Sequence, residues 1–328
     1  MPAATEYPIQ LARHTLRIAD PDISLAFYQQ ILGMTLLAER SKAGETHYFL
    51  GFVEPGCEPA PGCALGEAEL RALQRDCLLE LVHDPRRAAA DVRIQPDKGE
   101  GYWKISLSVA DLDVARDRLL EEGVDVDTPR QVGDIAYLCH FNDPDNYCIE
   151  LIQHDFQQNH QAESYDPNYK LGTRPGFLLI TYRVKDAAAS LAFYTELLGM
   201  RLLSKQTVEA RGFTLYFLAH ASDELPEADV EHVANREWLW QRPFAMVEFQ
   251  HVWGTEVDAD FAYRVDPESG FEGISVVAQD LNELRRKLES RGHKIEVCDD
   301  DLLFKTSAAT VNDPDGYLIR LIDSGAAE

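Results

Sequence analysis

The sequence predicts an α+β chain assembled from four β-α-β-β-β modules, and two observations predict it. The first is an internal duplication. Residues 17–37 (RIADPDISLAFYQQILGMTLL) and 183–203 (RVKDAAASLAFYTELLGMRLL) are identical at 12 of 21 positions. Residues 141–152 (FNDPDNYCIELI) match 311–322 (VNDPDGYLIRLI) at nearly the same offset. Between them LLELVH at 78–83 matches MVEFQH at 246–251, and SVADLD at 108–113 matches VAQDLN at 277–282. The second observation is periodicity. Each half passes twice from an alternating strand to a short helical pattern and then to three further strands.

The expected organisation is a domain over 8–153, a polar linker over 154–175 and a second domain over 176–323. In the first module a strand ends near Ile18. A helix follows with Asp20 or Asp22 as its N-cap, Phe27/Ile31 and Tyr28/Leu32 paired four apart, and Gly33 as its stop. Strands are expected near 34–38, 45–53 and 77–83. In the second module a strand at 103–110 leads to a helix capped by Asp111. Leu112, Ala115 and Leu119 form its apolar stripe, and Gly123 ends it. Strands near 124–127, 135–142 and 147–152 complete it. Segments 54–76 and 221–244 are longer excursions, each expected to hold a short helix. One such module leaves a sheet face open. Two side by side form a curved half-barrel with a cleft inside.

Composition narrows the partners. The chain has 56 acidic and 31 basic residues, a formal charge of −25. Such a chain is repelled by nucleic acid and by anionic membranes. It has no apolar run long enough to span a bilayer, and MPAATEYPIQ carries no signal-peptide pattern. A cytoplasmic location is therefore expected. The six cysteines are Cys57, Cys63, Cys77, Cys139, Cys148 and Cys298. They form no CxxC pair and read as free thiols, although Cys57 and Cys63 share a Pro/Gly-rich loop.

The motifs LRIADPDISLAFYQQILGM, FTLYFLAHASDELP, VEFQHVWGTE and NDPDGYLIRLI resemble the vicinal oxygen chelate superfamily, and within it glyoxalase I (lactoylglutathione lyase). The similarity spans nearly the whole chain, and the length and the TEYPIQ opening look like the fused two-domain form. The resemblance implies two glyoxalase-type half-barrel domains and a small-molecule substrate, a thiol adduct of a 2-oxoaldehyde such as a glutathione adduct. It implies lyase or isomerase chemistry. It also implies a divalent metal, zinc, nickel or manganese, held by a Gln or His, a Glu, a His or Glu, and a final Glu. The metal would polarise an enediolate while a glutamate moves the proton.

Carried over position by position, the resemblance assigns those roles as follows. The Glu of the first module falls on Glu80 and Glu248. The final Glu of the second module falls on Glu150 in the N-terminal half and on Arg320 in the C-terminal half. The His position falls on Lys104 and Gly273, and the first-strand position on Arg13 and Leu179. His14 is one residue off that position and becomes a ligand only if the strand carries a bulge. The metal-ligand candidates are thus Glu80, Glu150, Glu248 and His14, and the set is degenerate. If modules pair across halves, one site holds Arg13, Glu80, Gly273 and Arg320, and the other Leu179, Glu248, Lys104 and Glu150. If they pair within halves, Arg13, Glu80, Lys104 and Glu150 meet.

The residues expected to carry catalysis are Glu150, Glu248, Glu80 and Lys104. Arg17 and Arg183 match the arginine that grips the γ-glutamyl end of glutathione in the family. Arg13, Arg320 and His140 are further substrate-binding candidates. Each assignment has a plainer alternative: a lysine between carboxylates also describes a structural ion cluster, and a strand-edge arginine is usually solvated. Three functions stay open. They are a glyoxalase I-like lyase or isomerase, a metal-free enzyme of the same fold, and a non-catalytic binding protein. An iron dioxygenase ranks last, because no trio of two His and one Glu falls on cleft positions. An internal duplication commonly replaces a dimer, so a monomer with an internal pseudo-dimer or a weak homodimer is expected.

Overall fold

The computed structural model describes residues 9–54, 56, 66, 77–92, 97–162, 165–266 and 270–325. The first module contains β1 (Ile9–Arg17), α1 (Pro21–Ala26), β2 (Thr35–Lys42), β3 (Glu45–Gly51) and β4 (Leu78–His83). The second contains β5 (Tyr102–Val109), α2 (Leu112–Glu121), β6 (Arg130–Val132), β7 (Ala136–Asn142) and β8 (Cys148–Gln153). The C-terminal half repeats the pattern. Its third module has β9 (Gly176–Val184), α3 (Ala187–Ala192), β10 (Arg201–Val208), β11 (Phe213–Ala219), α4 (Ala234–Trp240) and β12 (Met246–Val252). Its fourth has β13 (Phe271–Ala278), α5 (Leu281–Ser290), β14 (Glu296–Cys298), β15 (Ala308–Asn312) and β16 (Leu318–Asp323). The four-module α+β expectation holds.

The modules pair across the halves. One eight-stranded sheet runs β14-β15-β16-β13-β1-β4-β3-β2 and the other β10-β11-β12-β9-β5-β8-β7-β6. The seams are the antiparallel pairs β1–β13 and β5–β9. Each curved sheet therefore takes one module from each half.

Local sequence explains the elements. Asp20 caps α1, its carboxylate accepting from the backbone N–H of Asp22 and Ile23. Asp186, Asp111 and Asp280 cap α3, α2 and α5 in the same way. After Ala26 the helix widens into a π turn over Phe27–Ile31, and Phe193–Leu197 does the same. Gly33, at φ +82°, reverses the chain at the end of that turn, a conformation glycine adopts without steric penalty. Tyr28, in the π turn, donates to Asp143 of the Asp-Pro-Asp turn at 2.8 Å, and Tyr194 donates to Asp313 at 3.1 Å. The repeated sequence motifs thus meet in space.

The strand expected at 124–127 reduces to a single bridge between Val126 and Phe141, and pairing resumes at β6. Pro129 lacks an N–H for the ladder, which interrupts it there. Of the two excursions, 221–244 holds α4, whereas 54–76 lies almost wholly outside the described residues. So do Cys57 and Cys63. The other four cysteines form no disulfide among the described residues.

The core fills the space between the sheets. Leu112, Ala115 and Leu119 of α2 and Leu281, Leu284 and Leu288 of α5 bury their stripes there. At its centre Tyr182 meets Tyr317 with ring centroids 4.5 Å apart, and Tyr102 meets Phe271 at 4.9 Å. Tyr147 and Tyr317 donate to the backbone oxygens of Arg17 and Arg183 at 2.7 and 2.8 Å, one pseudo-twofold pair. No helix among the described residues is long and apolar enough to cross a membrane.

Candidate active site

Strand alternation presents one set of side chains to each concave sheet face. In the first sheet β1 offers Arg13, Thr15 and Arg17, and β4 offers Glu80. A cavity of about 260 Å³ opens there, lined among others by Arg13, His47, Glu80, Glu272 and Arg320. Arg13 is 1% exposed. Its guanidinium forks onto Asp301, with Nη1 3.0 Å from Oδ1, Nη2 on Oδ2 and Nε 3.3 Å from Glu80 Oε2. Thr15 donates to Glu80 Oε2 at 3.0 Å, and His47 Nδ1 lies 2.9 Å from Oε1. Burial pushes the Glu80 carboxyl up, but Arg13 and His47 outweigh it and hold it below the ordinary range. Arg320 reaches the same Asp301 at 3.4 Å and stays partly exposed. Glu272 also faces this cavity. Burial pushes its carboxyl up to about 7 against the pull of Arg17.

In the second sheet the corresponding residues are closed upon one another. Lys104 on β5 places Nζ 2.6 Å from Glu150 Oε1 on β8 and 3.0 Å from Glu248 Oε2 on β12. Ser106 donates to Glu150 Oε1 at 2.8 Å, and Thr181 donates to Glu248 Oε2. His140 Nε2 lies 3.0 Å from Glu150 Oε2. Lys104, Glu150 and Glu248 are 2%, 4% and 2% exposed, so the cluster is sealed. Burial pushes the Lys104 ammonium down, but the two carboxylates outweigh it and hold it charged. The same pair reads in reverse at Glu150, where burial raises the carboxyl while Lys104, then His140, bring it well below the usual range.

The structure thus brings Arg13, Glu80 and Arg320 together in one cleft and Lys104, Glu150, Glu248 and His140 in the other. Arg17 and Arg183 border the clefts with their guanidinium groups already engaged. Arg17 meets Glu272 at 2.6 Å and Glu45 at 3.1 Å. Arg183 donates to Gln250 at 2.9 Å and to the Glu100 carbonyl at 2.6 Å, and lies 5.5 Å over the Trp103 ring.

His14 joins neither cleft. Register shifts do occur in β1, between Leu11 and Arg13 and again after Thr15, yet His14 keeps the opposite face from Arg13. Its ring stacks on Tyr102 at 5.7 Å and meets Phe271 at 5.2 Å in the inter-sheet core. Leu179 and Gly273 bring no donor side chain. Gly273 has φ +136°, and a Cβ built there would lie 2.0 Å from the Leu318 carbonyl oxygen.

Sequence reasoning missed Asp301, His47, Glu272, Ser106 and Thr181. Ser106 and Thr181 were accessible, because each lies two residues along a strand from a position already singled out. Asp301 sits in an irregular segment whose sequence gives no sign of a buried arginine partner. Among the described residues no three His, Cys, Asp or Glu side chains gather closely enough to hold a metal ion.

Two yeast enzymes match nearly end to end. Glyoxalase I of Saccharomyces cerevisiae is 30% identical, over 98% of this chain and 98% of its own. Lactoylglutathione lyase of Schizosaccharomyces pombe is 28% identical, over 98% and 99%. The crystal structure of glyoxalase I from Zea mays superposes with a TM-score of 0.67 at 19% identity, covering 96% of this chain and 92% of that one, and so shares its fold. Both halves, over residues 10–151 and 176–321, match one and the same family, and on that match the chain belongs to the Glyoxalase/Bleomycin resistance protein/Dioxygenase superfamily.

Proposed function

We propose that this chain is a glyoxalase I-like isomerase of a small 2-oxoaldehyde–thiol adduct, working in the first cleft without a divalent metal. The likeness to two full-length yeast enzymes supports the reaction class and, through the name of the second, glutathione as the thiol. The donor chemistry supports the absence of metal. In the first cleft Arg13 takes up the carboxylates of Glu80 and Asp301, and Arg17 those of Glu45 and Glu272, guanidinium groups that cannot deprotonate to give way to a cation. In the second an ammonium lies between the carboxylates. Neither set suits a divalent ion.

The observation that carries the choice of cleft is the cavity beside Glu80. Moving a proton between adjacent carbons passes through an enediolate, so a cation must face the developing oxyanion. Arg13 and Arg320 supply that charge in this reading. Glu80, bonded to His47, carries the proton. Arg17 orients Glu45 and Glu272 at the rim rather than gripping substrate.

A second reading, anion binding without turnover, draws on one observation. Arg13 and His47 hold Glu80 below its ordinary range, which makes it a weaker base.

The test is isomerisation of the methylglyoxal–glutathione hemithioacetal after exhaustive chelation, for the native chain and Glu80→Gln. The expected result is chelator-resistant turnover that falls by about 10²-fold or more in the variant. Turnover that requires added nickel or zinc refutes the metal-free assignment. No turnover, with a ligand-induced stabilisation that Arg320→Ala removes, establishes the binding reading instead.

A further inference from the structure

A further cavity, of about 330 Å³, lies apart from both ion clusters. Three parts of the chain wall it. Ser108 of β5 and Gly176 of β9 meet there at the seam, Arg174 comes from the segment between β8 and β9, and Arg242 follows two residues after α4. Ser108 shares a face of β5 with Lys104 but lies four residues on, about 13 Å along the strand.

The duplication explains why there is room. In the first sheet the matching pair across the seam is Gln10 and Val277, whereas here Gly176 pairs with Ser108. A Cβ built at Gly176 would lie 2.9 Å from Ser108 Oγ, so the glycine admits the serine hydroxyl. Phe177 and Pro243 give the cavity an apolar side.

Its charge runs against that of the chain. With 56 acidic residues to 31 basic, a surface hollow should meet carboxylates. Among the described residues none lines this one, while two arginines do. Arg242 is held in place. Its Nε donates to the Trp238 carbonyl at 2.9 Å, and its guanidinium lies 4.4 Å over the Trp238 ring. Asp223, its nearest carboxylate among the described residues, is 3.7 Å from Nη1, beyond hydrogen-bond reach. Arg174 pairs with Glu54 at 2.6 Å, but both side chains are exposed, and water and salt leave such a pair little strength. Arg13 and Arg17 are spent on buried carboxylates, whereas these two guanidinium groups have donors to give to an incoming anion.

We infer that this cavity binds a small organic carboxylate, its head on Arg242 and Arg174 and its apolar body against Phe177 and Pro243. A ligand so placed joins the segment between the halves to the excursion that carries α4, and it stabilises the folded chain by mass action.

The test is titration of the full chain with benzoate, followed by saturation-transfer NMR, with benzamide as the neutral control. The native chain is expected to bind benzoate with a roughly millimolar Kd or tighter, as the size of the molecule allows. Benzamide should bind at least about tenfold more weakly. Arg242→Ala and Arg174→Ala should each weaken benzoate by about tenfold or more. Arg174 is exposed, so its variant keeps the fold. Ser108→Val gives β5 the residue of the matching position in the first sheet and should weaken benzoate by narrowing the cavity. Arg320→Ala, in the first cleft, should leave the Arg242-dependent binding unchanged.

A native chain that binds no benzoate overturns the inference. So does binding that survives both arginine variants, or benzamide binding as tight as that of benzoate. Binding lost in Arg320→Ala but kept in Arg242→Ala also overturns it, because the anion then sits in the first cleft.

Discussion

Replacing His14 with isoleucine should make the protein resist acid. Position 14 corresponds in the duplication to Ile180, itself fully buried, so the substitution copies the other half. The His14 ring is buried among Tyr102, Phe271 and Phe177, and neither ring nitrogen has a hydrogen-bond partner among the described residues. Burial alone, with no charged neighbour contributing, pushes the imidazole down from 6.5 to about 3. The folded chain therefore keeps His14 neutral, while the unfolded chain binds a proton below its ordinary value. Stability from this group is complete above about pH 6.5 and is lost as pH falls toward 3.

At pH 5 the loss is about 2 kcal/mol, because one pKa unit is worth about 1.4 kcal/mol. A pH-independent part also changes on substitution. Two unpartnered nitrogens leave the core, and a ring stack worth roughly 0.5–1.5 kcal/mol is lost. That part cancels when the same pair of proteins is compared at two pH values. The assay is urea unfolding of the native chain and His14→Ile at pH 8 and pH 5, where groups common to both proteins cancel as well. The native chain should lose about 2 kcal/mol more than the variant between the two values. An equal loss in both would refute the reasoning and mean that the imidazole finds a proton-stabilising partner or water.

Three further outcomes follow from the clefts and the backbone. Lys104→Met leaves two carboxylates facing each other in a sealed cluster and should destabilise by about 3–5 kcal/mol, measured by denaturant unfolding at pH 7. Asp301→Asn removes the charge that meets both Arg13 and Arg320. It should cost a comparable ~3 kcal/mol and make the arginine cleft bind small anions more tightly, as isothermal titration would show. Gly273→Ala forces a Cβ against the Leu318 carbonyl at a positive φ. It should lower stability by at least about 2 kcal/mol, whereas Gly292→Ala, with nothing near its Cβ, should cost only the strain of its own φ.

How much of the site was legible depended on how local its determinants are. Glu80, Glu150, Glu248, Lys104 and Arg13 were reached by carrying the positions that the family resemblance implies onto this chain, counted from shared motif residues such as the helix-capping aspartates, because strand registers between those landmarks are short and regular. Alternation also placed His14 and Arg13 on opposite faces, as the structure has them. Counting could not find His47 or Glu272, which reach the cleft from neighbouring strands without a matching motif. Nor could it find Asp301, whose segment carries no period. The π turn after Ala26 escaped for a related reason. The i,i+4 pairs that suggested a plain α-helix are nearly satisfied by the wider turn too.

The sequence by itself determined the duplication, the four modules, the helix caps and the residue types offered to each concave face. Those follow from side-chain periodicity and from residues that act on their immediate neighbours. Only the tertiary structure decided that β1 pairs with β13 and β5 with β9, and hence which residues share a cleft. Backbone hydrogen bonds at a strand edge do not distinguish one partner from another. The choice falls to the global burial of the inter-sheet core, where Tyr102, Phe271, Tyr182 and Tyr317 meet across the pseudo-twofold. That same choice brings Glu248 of one half to Lys104 of the other, and Asp301 to Arg13, converting lone charges in the sequence into closed ion clusters.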